Sequence, residues 1–224
     1  MPVRQLSYAQ PFTISVWNIH KEQSHDFSQE LNALFDTSDA LCLQEVELTE
    51  GTLAHWATFD FAKWFMAPAW ETSRGPTGTA VLSKFQVERA SNLISERGQP
   101  ITATPKSSLV VYLPIEDSDD KLMVISTHAL NFTFMGPFRS QLEQVAALIR
   151  THNGPVVWSG DFNTWNPSRW DYLFELTASL GLQPVPIEDD QRWLVLDHVF
   201  QRGLTVLSAE ELEGWVTSDH KPCG

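Results

Sequence analysis

Residues 155–163 read Pro155-Val156-Val157-Trp158-Ser159-Gly160-Asp161-Phe162-Asn163. The first five are β-prone and predict a strand over Pro155–Ser159, and the last four predict the loop that leaves it. Just upstream, Leu142, Val145, Ala146 and Ile149 recur at helical spacing, so Phe138–Arg150 is expected to be a helix closed by Gly154 and Pro155. Downstream, Ser168–Leu180 reads as a second helix, stopped by Gly181.

The same alternation runs along the rest of the chain. Strands are expected at Phe12–Ile19, Ala40–Gln44, Phe59–Met66, Thr79–Ser83 and Trp193–Phe200, with weaker ones at Leu204–Ser208 and Trp215–Thr217. Asp26–Phe35 reads as a helix, and Thr52–Trp56 as a brief one. Leu109–Leu113 and Leu122–Thr127 flank the acidic turn Glu116-Asp117-Ser118-Asp119-Asp120, which predicts a hairpin. Hairpins interrupting a strand–helix alternation argue a mixed-sheet α/β (α+β) architecture rather than a purely parallel one. Ala67–Gly78 and Gly98–Lys106, rich in Pro and Gly, are read as loops over a site. With 224 residues and no repeat or linker, residues 1–224 are expected to form one domain.

Several short strings carry chemistry. In an extended segment, residues two apart share a face, so Asp161 and Asn163 can present a carboxylate and an amide together. The bland reading is an Asx-turn after a strand, which the same residues form readily. Ser218-Asp219-His220 joins a carboxylate to a histidine, and Asp197 is a plausible orienter of His220. Glu45 stands just past a short strand, where an acid has no core role, and Asn18 ends the first strand. Carboxylates, amides and water are the donors that hard divalent ions take. Such an ion can stabilise the charge that builds up in phosphodiester hydrolysis.

In order, Trp17-Asn18, Gln44-Glu45, the strand Gly78–Ser83, Thr127-His128, Gly160-Asp161-Phe162-Asn163, Leu196-Asp197-His198 and Ser218-Asp219-His220 resemble the endonuclease/exonuclease/phosphatase superfamily. The resemblance runs from about Phe12 to Pro222. It extends to uncharacterised bacterial members with the His-Ala-Leu-Asn-Phe-Thr and Asp-His-Val-Phe-x-Arg-Gly-Leu phrasing. It implies a DNase I-like four-layer sandwich: two mixed sheets packed face to face with helices outside. It implies a phosphoesterase using Mg²⁺ or Mn²⁺, with Glu45, Asp219 and Asn18 on the metal. Asp161, Asn163, His128, His220 and Asp197 are implied as catalytic residues. The base is either Asp161 or the His220–Asp197 pair. His128 in place of a Tyr points to the DNase, sphingomyelinase and phosphatase side of the family rather than to abasic-site endonucleases. Only Lys221-Pro222-Cys223-Gly224 follow the last string, where family members usually run into a final apolar strand.

Substrate contacts are read from neighbouring residues. Trp165, two beyond Asn163, and Trp70, in a loop, can stack on a base or cover a headgroup. Arg139 opens a helix and can reach a phosphate, or serve helix-start packing. His20, His25, His55, His152 and His198 read as surface or satisfied core histidines.

Charge narrows the partners. Fifteen Lys+Arg stand against 28 Asp+Glu, a net charge of −13, so the global field repels long nucleic acid and no basic surface is expected, although a metal site can invert the sign locally and nucleic acid stays open as a partner. A phosphate-ester substrate is expected. A nuclease-like phosphodiesterase, a headgroup or phosphomonoester hydrolase, and a silent phosphate-binding module are the three open readings. Cys42 and Cys223 do not make a disulfide framework, and no stretch reaches the ~20 apolar residues of a membrane span. The amino end lacks the apolar core of a secretory signal, and a cytoplasmic location is expected.

Overall fold

The computed structural model describes residues 4–20, 27–59, 63–100, 103–187, 195–212, 217–218 and 220–224. In chain order the elements are β1 (Ile14–Asn18), α1 (Phe27–Thr37), β2 (Ala40–Glu47), α2 (Glu50–Trp56), β3 (Lys63–Glu71), β4 (Pro76–Ser83) and β5 (Arg89–Ile94). They continue with β6 (Ser107–Pro114), β7 (Lys121–His128), α3 (Met135–Arg150), β8 (Val156–Asp161), α4 (Pro167–Ser179), β9 (Gln183–Pro184) and β10 (Asp197–Arg202).

Two sheets form. One runs β1-β2-β4-β3, the other β5-β6-β7-β8-β10-β9. Both are mixed: β1 pairs with β2, and β7 with β8, in parallel, while the remaining neighbours are antiparallel. Each parallel pair is joined through a helix, as a parallel crossover requires.

The burial pattern gives four layers. Val16, Cys42, Val81, Leu109, Val111, Leu113, Leu122, Val124 and Val157 pack between the sheets. Their strand neighbours point the other way. Trp17, Leu41, Leu43 and Leu82 meet Phe27, Leu31, Leu34 and Phe35 of α1 and Trp56 of α2. Val110, Met123, Ile125, Val156 and Trp158 meet Phe138, Leu142, Val145 and Ile149 of α3 and Leu173 and Leu176 of α4. Strands buried on both faces read as unbroken apolar runs, as Ala40-Leu41-Cys42-Leu43 does. The sandwich implied by the resemblance is therefore the fold observed. Burial pushes the Cys42 thiol up to about 12, so it is an inert core residue.

Some boundaries differ from the sequence reading. Most of Ala67–Gly78 is the β3–β4 hairpin rather than a loop. Leu204–Ser208 is not a strand. Strand β5 was not expected: it is a partly exposed edge strand with the polar sequence Arg-Ala-Ser-Asn-Leu-Ile. Residues 222–224 lie along β1, with an antiparallel bridge between Cys223 and Val16 and the Val16 N–H donating to the Cys223 carbonyl at 2.8 Å. No described helix is long and apolar enough to cross a membrane.

Candidate active site

Strand register assembles one half of the site. On β7, β8 and β10, His128 stands beside Asp161, and Asp161 stands beside Asp197. All three side chains are buried, between 3% and 7% exposed. The approach of β7 to β8 depends on Gly160. Its φ is +140°, and a Cβ there would lie 1.9 Å from the Thr127 carbonyl oxygen. The strand end that Asp161 occupies thus needs glycine immediately before it.

The other half comes from the four-stranded sheet. Asn18 ends β1, and its Nδ2 donates across to Asp161 Oδ2 at 3.0 Å. Gln44 also bridges the sheets, donating from Nε2 to Ser126 Oγ at 2.9 Å. Next to it the β2–β4 register slips between Leu43 and Val46, so Glu45 lies in a bulge with φ +56°. A bulge re-aims a side chain, and a positive φ in a non-glycine residue is a strained conformation found at functional sites. Glu45 Oε1 lies 3.8 Å from His128 Nε2, and His128 Nε2 lies 3.5 Å from Asp161 Oδ2. His128 therefore stands between the two carboxylates.

Asp161 is fixed from both sides. Oδ1 accepts the Asn163 backbone N–H at 2.9 Å, and Oδ2 accepts from Asn18. The Asx-turn and the acid are one feature. Burial, reinforced by the Asp197 charge, raises the Asp161 carboxyl to about 7; His220 and the two donated hydrogen bonds pull the other way. Asn163 itself is left-handed, with φ +52°, and its Nδ2 donates to the Ala129 carbonyl at 3.0 Å. One amide N–H of Asn163 is thus spent inside the protein.

His220 closes the cleft. Its Nδ1 is hydrogen-bonded to Asp197 Oδ2 at 2.8 Å. Trp17 Nε1 donates to the His220 carbonyl at 2.9 Å, and Ser218 Oγ donates to the Asn18 carbonyl at 2.6 Å. These bonds tie Ser218 and His220 to the end of β1. Asp219 itself lies outside the described residues.

Two supporting residues had no role in the sequence reading. Arg169, on α4, is fully buried, and its guanidinium donates to the carbonyls of Leu130 at 2.7 Å, Asn163 at 3.1 Å and Thr133 at 3.0 Å. Burial lowers it to about 10, against the opposing pull of Asp161. Gln141, on α3, donates to the His128 carbonyl at 2.9 Å and accepts the Leu130 N–H at 2.8 Å. Together they fix the segment after β7. An Arg or Gln inside a helical pattern carries no local signal for this. A polar residue on an apolar helix face was the only clue available.

Lys106 is the third residue missed. Its Nζ donates to Glu45 Oε1 at 3.4 Å and lies 3.4 Å from His128 Nδ1. An ammonium only donates, so this contact favours the tautomer with its proton on Nε2, the nitrogen nearest Glu45 and Asp161.

The substrate-contact candidates separate. Trp70 lines a pocket of about 140 Å³ together with Glu45, Lys106 and His128. Trp165 is 6.1 Å from Phe132, with the Arg169 guanidinium 5.1 Å from its ring. Arg139 stacks over Tyr172 at 4.8 Å, an α3–α4 contact. His198 faces away from Asp197 into the α4 layer, where its Nε2 meets Thr164 Oγ1 at 2.7 Å beside Trp170 and Phe174.

Oxygen donors dominate this cleft, and the donor set fits a hard divalent ion. Among the described residues, Asp161, Asp197 and His220 each offer a ligand atom within 4.8 Å of one another. That group differs from the expected Glu45–Asn18–Asp219 set. The 2.8 Å bond between His220 and Asp197 already engages one member with another, whereas Glu45 is the strained carboxylate at the bulge.

Residues 15–220 match the profile of the Endonuclease/Exonuclease/phosphatase family. The chain is 32% identical over 214 residues to the UPF0294 protein plu0699 of Photorhabdus laumondii subsp. laumondii, a match covering 93% of this chain and 80% of that protein. It is similar in fold to the human Nocturnin catalytic domain with bound sulfate anion, with a TM-score of 0.73 at 20% identity over 96% of this chain and 92% of that one. It is equally similar to sphingomyelinase C from Streptomyces griseocarneus, with a TM-score of 0.73 at 17% identity over 96% and 98% of the two chains. The profile match spans nearly the whole chain and includes every strand that carries a site residue, so the protein belongs to the endonuclease/exonuclease/phosphatase family.

Proposed function

We propose that this chain is a divalent-metal-dependent phosphoesterase of one catalytic domain that hydrolyses phosphodiester bonds by nuclease-like chemistry. The observation that carries the reading is Asp161, which accepts from Asn18 of one sheet while flanked by His128 and Asp197 of the other. A buried carboxyl near neutrality has the proton affinity wanted of a general base. Asp161 takes the proton of the attacking water. Asp197 holds His220 Nδ1 and favours the imidazolium, so the charged ring donates to phosphoryl oxygens through Nε2. His128 donates a second hydrogen bond from Nε2.

Glu45 and Asn18, with Asp219, would hold Mg²⁺ or Mn²⁺. The bound ion would neutralise charge on a phosphoryl oxygen. A net charge of −13 favours short or small substrates over a long duplex.

The test is a panel of plasmid DNA, short single strands, sphingomyelin, inositol phosphates and bis-p-nitrophenyl phosphate, each with Mg²⁺ and with EDTA. Metal-dependent turnover that falls more than about 10²-fold in Asp161→Ala and in His220→Ala is expected. Turnover unchanged in both variants rejects the reading. A headgroup or monoester hydrolase remains the second reading, favoured by the small pocket beside Glu45. Cleavage of plasmid DNA alone would eliminate it.

A further inference from the structure

Beside Glu45 the four-stranded sheet opens in an unusual way. Its central strand β4 has a slipped neighbour on each side: β2 slips between Leu43 and Val46, and β3 between Pro68 and Trp70. The β2 slip lies opposite Ala80–Gly78 and the β3 slip opposite Gly78–Thr77, so the two meet at Gly78. Gly78 allows the crowding there, since a Cβ would lie 2.0 Å from the Ala67 carbonyl oxygen. Bulges bend the strands that carry them and re-aim their side chains. Beside them lies the 140 Å³ pocket, lined by Trp70, Glu45, Lys106 and His128. Thr72, Thr77 and Thr104 add hydroxyls to its lining.

Trp70 is 45% exposed although it lies within a strand. An indole left open beside the Lys106 ammonium and the Glu45 carboxylate has the form of a stacking wall. The pocket beside the indole is small. At roughly 30 Å³ of liquid per water, the pocket holds the equivalent of about five waters. That suits one ring.

We propose that this pocket is the specificity subsite for a single ring, sugar or nucleobase, carried by the phosphate, with Trp70 stacking on the ring and Lys106 holding a phosphoryl oxygen. The inference rests on the phosphoesterase reading for the adjoining centre and deepens it by naming the substrate class: a phosphoester that carries a ring next to its phosphate. Lys106 acts at the junction because Glu45 and His128 are both 3.4 Å from its ammonium. Stacking on an indole is worth enough to change affinity about tenfold or more.

Calorimetry with phenylphosphonate and methylphosphonate, in the presence of Mg²⁺, tests this without requiring turnover. Both probes carry the same charge, and only one carries a ring. The wild-type protein is expected to bind phenylphosphonate about tenfold more tightly. Trp70→Ala should bring that ratio close to one, and Trp70→Phe should restore most of it. Lys106→Met should weaken both probes alike, with Lys106→Arg recovering them. A hexose 1-phosphate and a pyrimidine nucleoside monophosphate, titrated alongside, distinguish a saturated ring from a flat one. Equal binding of the two phosphonates by the wild type, or a preference that survives Trp70→Ala, overturns the proposal. A ring preference in a protein that turns over no phosphoester would instead overturn the catalytic reading and leave the subsite standing.

Discussion

Asp161 and Asp197 face each other across the β8–β10 pair, two carboxylates in register on adjacent antiparallel strands. Like charges side by side raise the cost of ionising both. Burial and the Asp197 charge together hold Asp161 near 7, while His220 pairs with Asp197 at 2.8 Å. One centre thus holds a carboxyl poised to exchange a proton and a carboxylate occupied with orienting a histidine.

This has a sign for stability. The Asp161 carboxyl is raised from an ordinary value near 3.8, so the folded state binds the extra proton in the window between about 4 and 7. Its contribution is fully present below pH 4 and is lost as pH rises through 7. Urea denaturation in EDTA should show wild type losing stability relative to Asp161→Asn across that window, by on the order of a few kcal/mol. A difference that stays constant with pH would show that Asp161 ionises normally.

The Asp197–His220 bond predicts that Asp197→Asn is nearly as damaging as His220→Ala. An amide in place of the carboxylate no longer favours the imidazolium that donates from Nε2 while Nδ1–H is held. Both variants should lose about 10²-fold or more in kcat on bis-p-nitrophenyl phosphate, with folding intact by circular dichroism. The double variant should be no worse than either single one, since the two residues act as a unit.

Glu45 ties ion binding to backbone strain. It occupies φ +56° in a bulge, a position that favours glycine or asparagine. Glu45→Gln keeps the shape and removes the charge, so Mg²⁺ affinity by calorimetry should fall about tenfold or more while stability in EDTA holds. Unaltered Mg²⁺ binding in this variant would move the ion to the Asp161–Asp197–His220 group.

Much of this was legible in the sequence because it depends on local pattern. Leu142, Val145 and Ile149 announce α3, and the apolar runs of β2, β6 and β7 announce strands covered on both faces. The strings around Asn18, His128, Asp161 and Asp197 announce the site because each stands at a strand end, whereas Glu45, read as just past its strand, lies in a bulge within β2. What escaped depends on distant partners. The antiparallel β3–β4 pairing that makes most of Ala67–Gly78 a hairpin rather than a loop runs on to Ser83 and cannot be read from residues 67–78 alone. Lys106 gains its meaning from Glu45, 61 residues earlier, and from His128, 22 residues later. Strand β5 lacks an apolar run because one edge of it is exposed.

Gly160 should tolerate nothing larger. Gly160→Ala places a methyl group 1.9 Å from the Thr127 oxygen at a φ that L-residues avoid. Relief means separating β7 from β8 at the level of His128 and Asp161. A loss of about 3 kcal/mol or more in urea titration is expected, with activity abolished even where the variant stays folded.

Arg169 supports the loop that carries Asn163. Its guanidinium satisfies the carbonyls of Leu130, Thr133 and Asn163 from one buried position, between the rings of Phe138 at 4.3 Å and Trp165 at 5.1 Å. Arg169→Met fills the volume but leaves those three carbonyls to find other donors, at about 1–3 kcal/mol for each that stays buried. Arg169→Lys keeps the charge, yet a single ammonium cannot span the three directions that a planar fork reaches. Both variants should therefore lose about 3 kcal/mol or more by urea denaturation. Lysine should rescue little, and kcat should fall more than KM rises as Asn163 and the segment after His128 loosen. Full rescue by lysine would mean that charge, not the geometry of the fork, holds this side of the site.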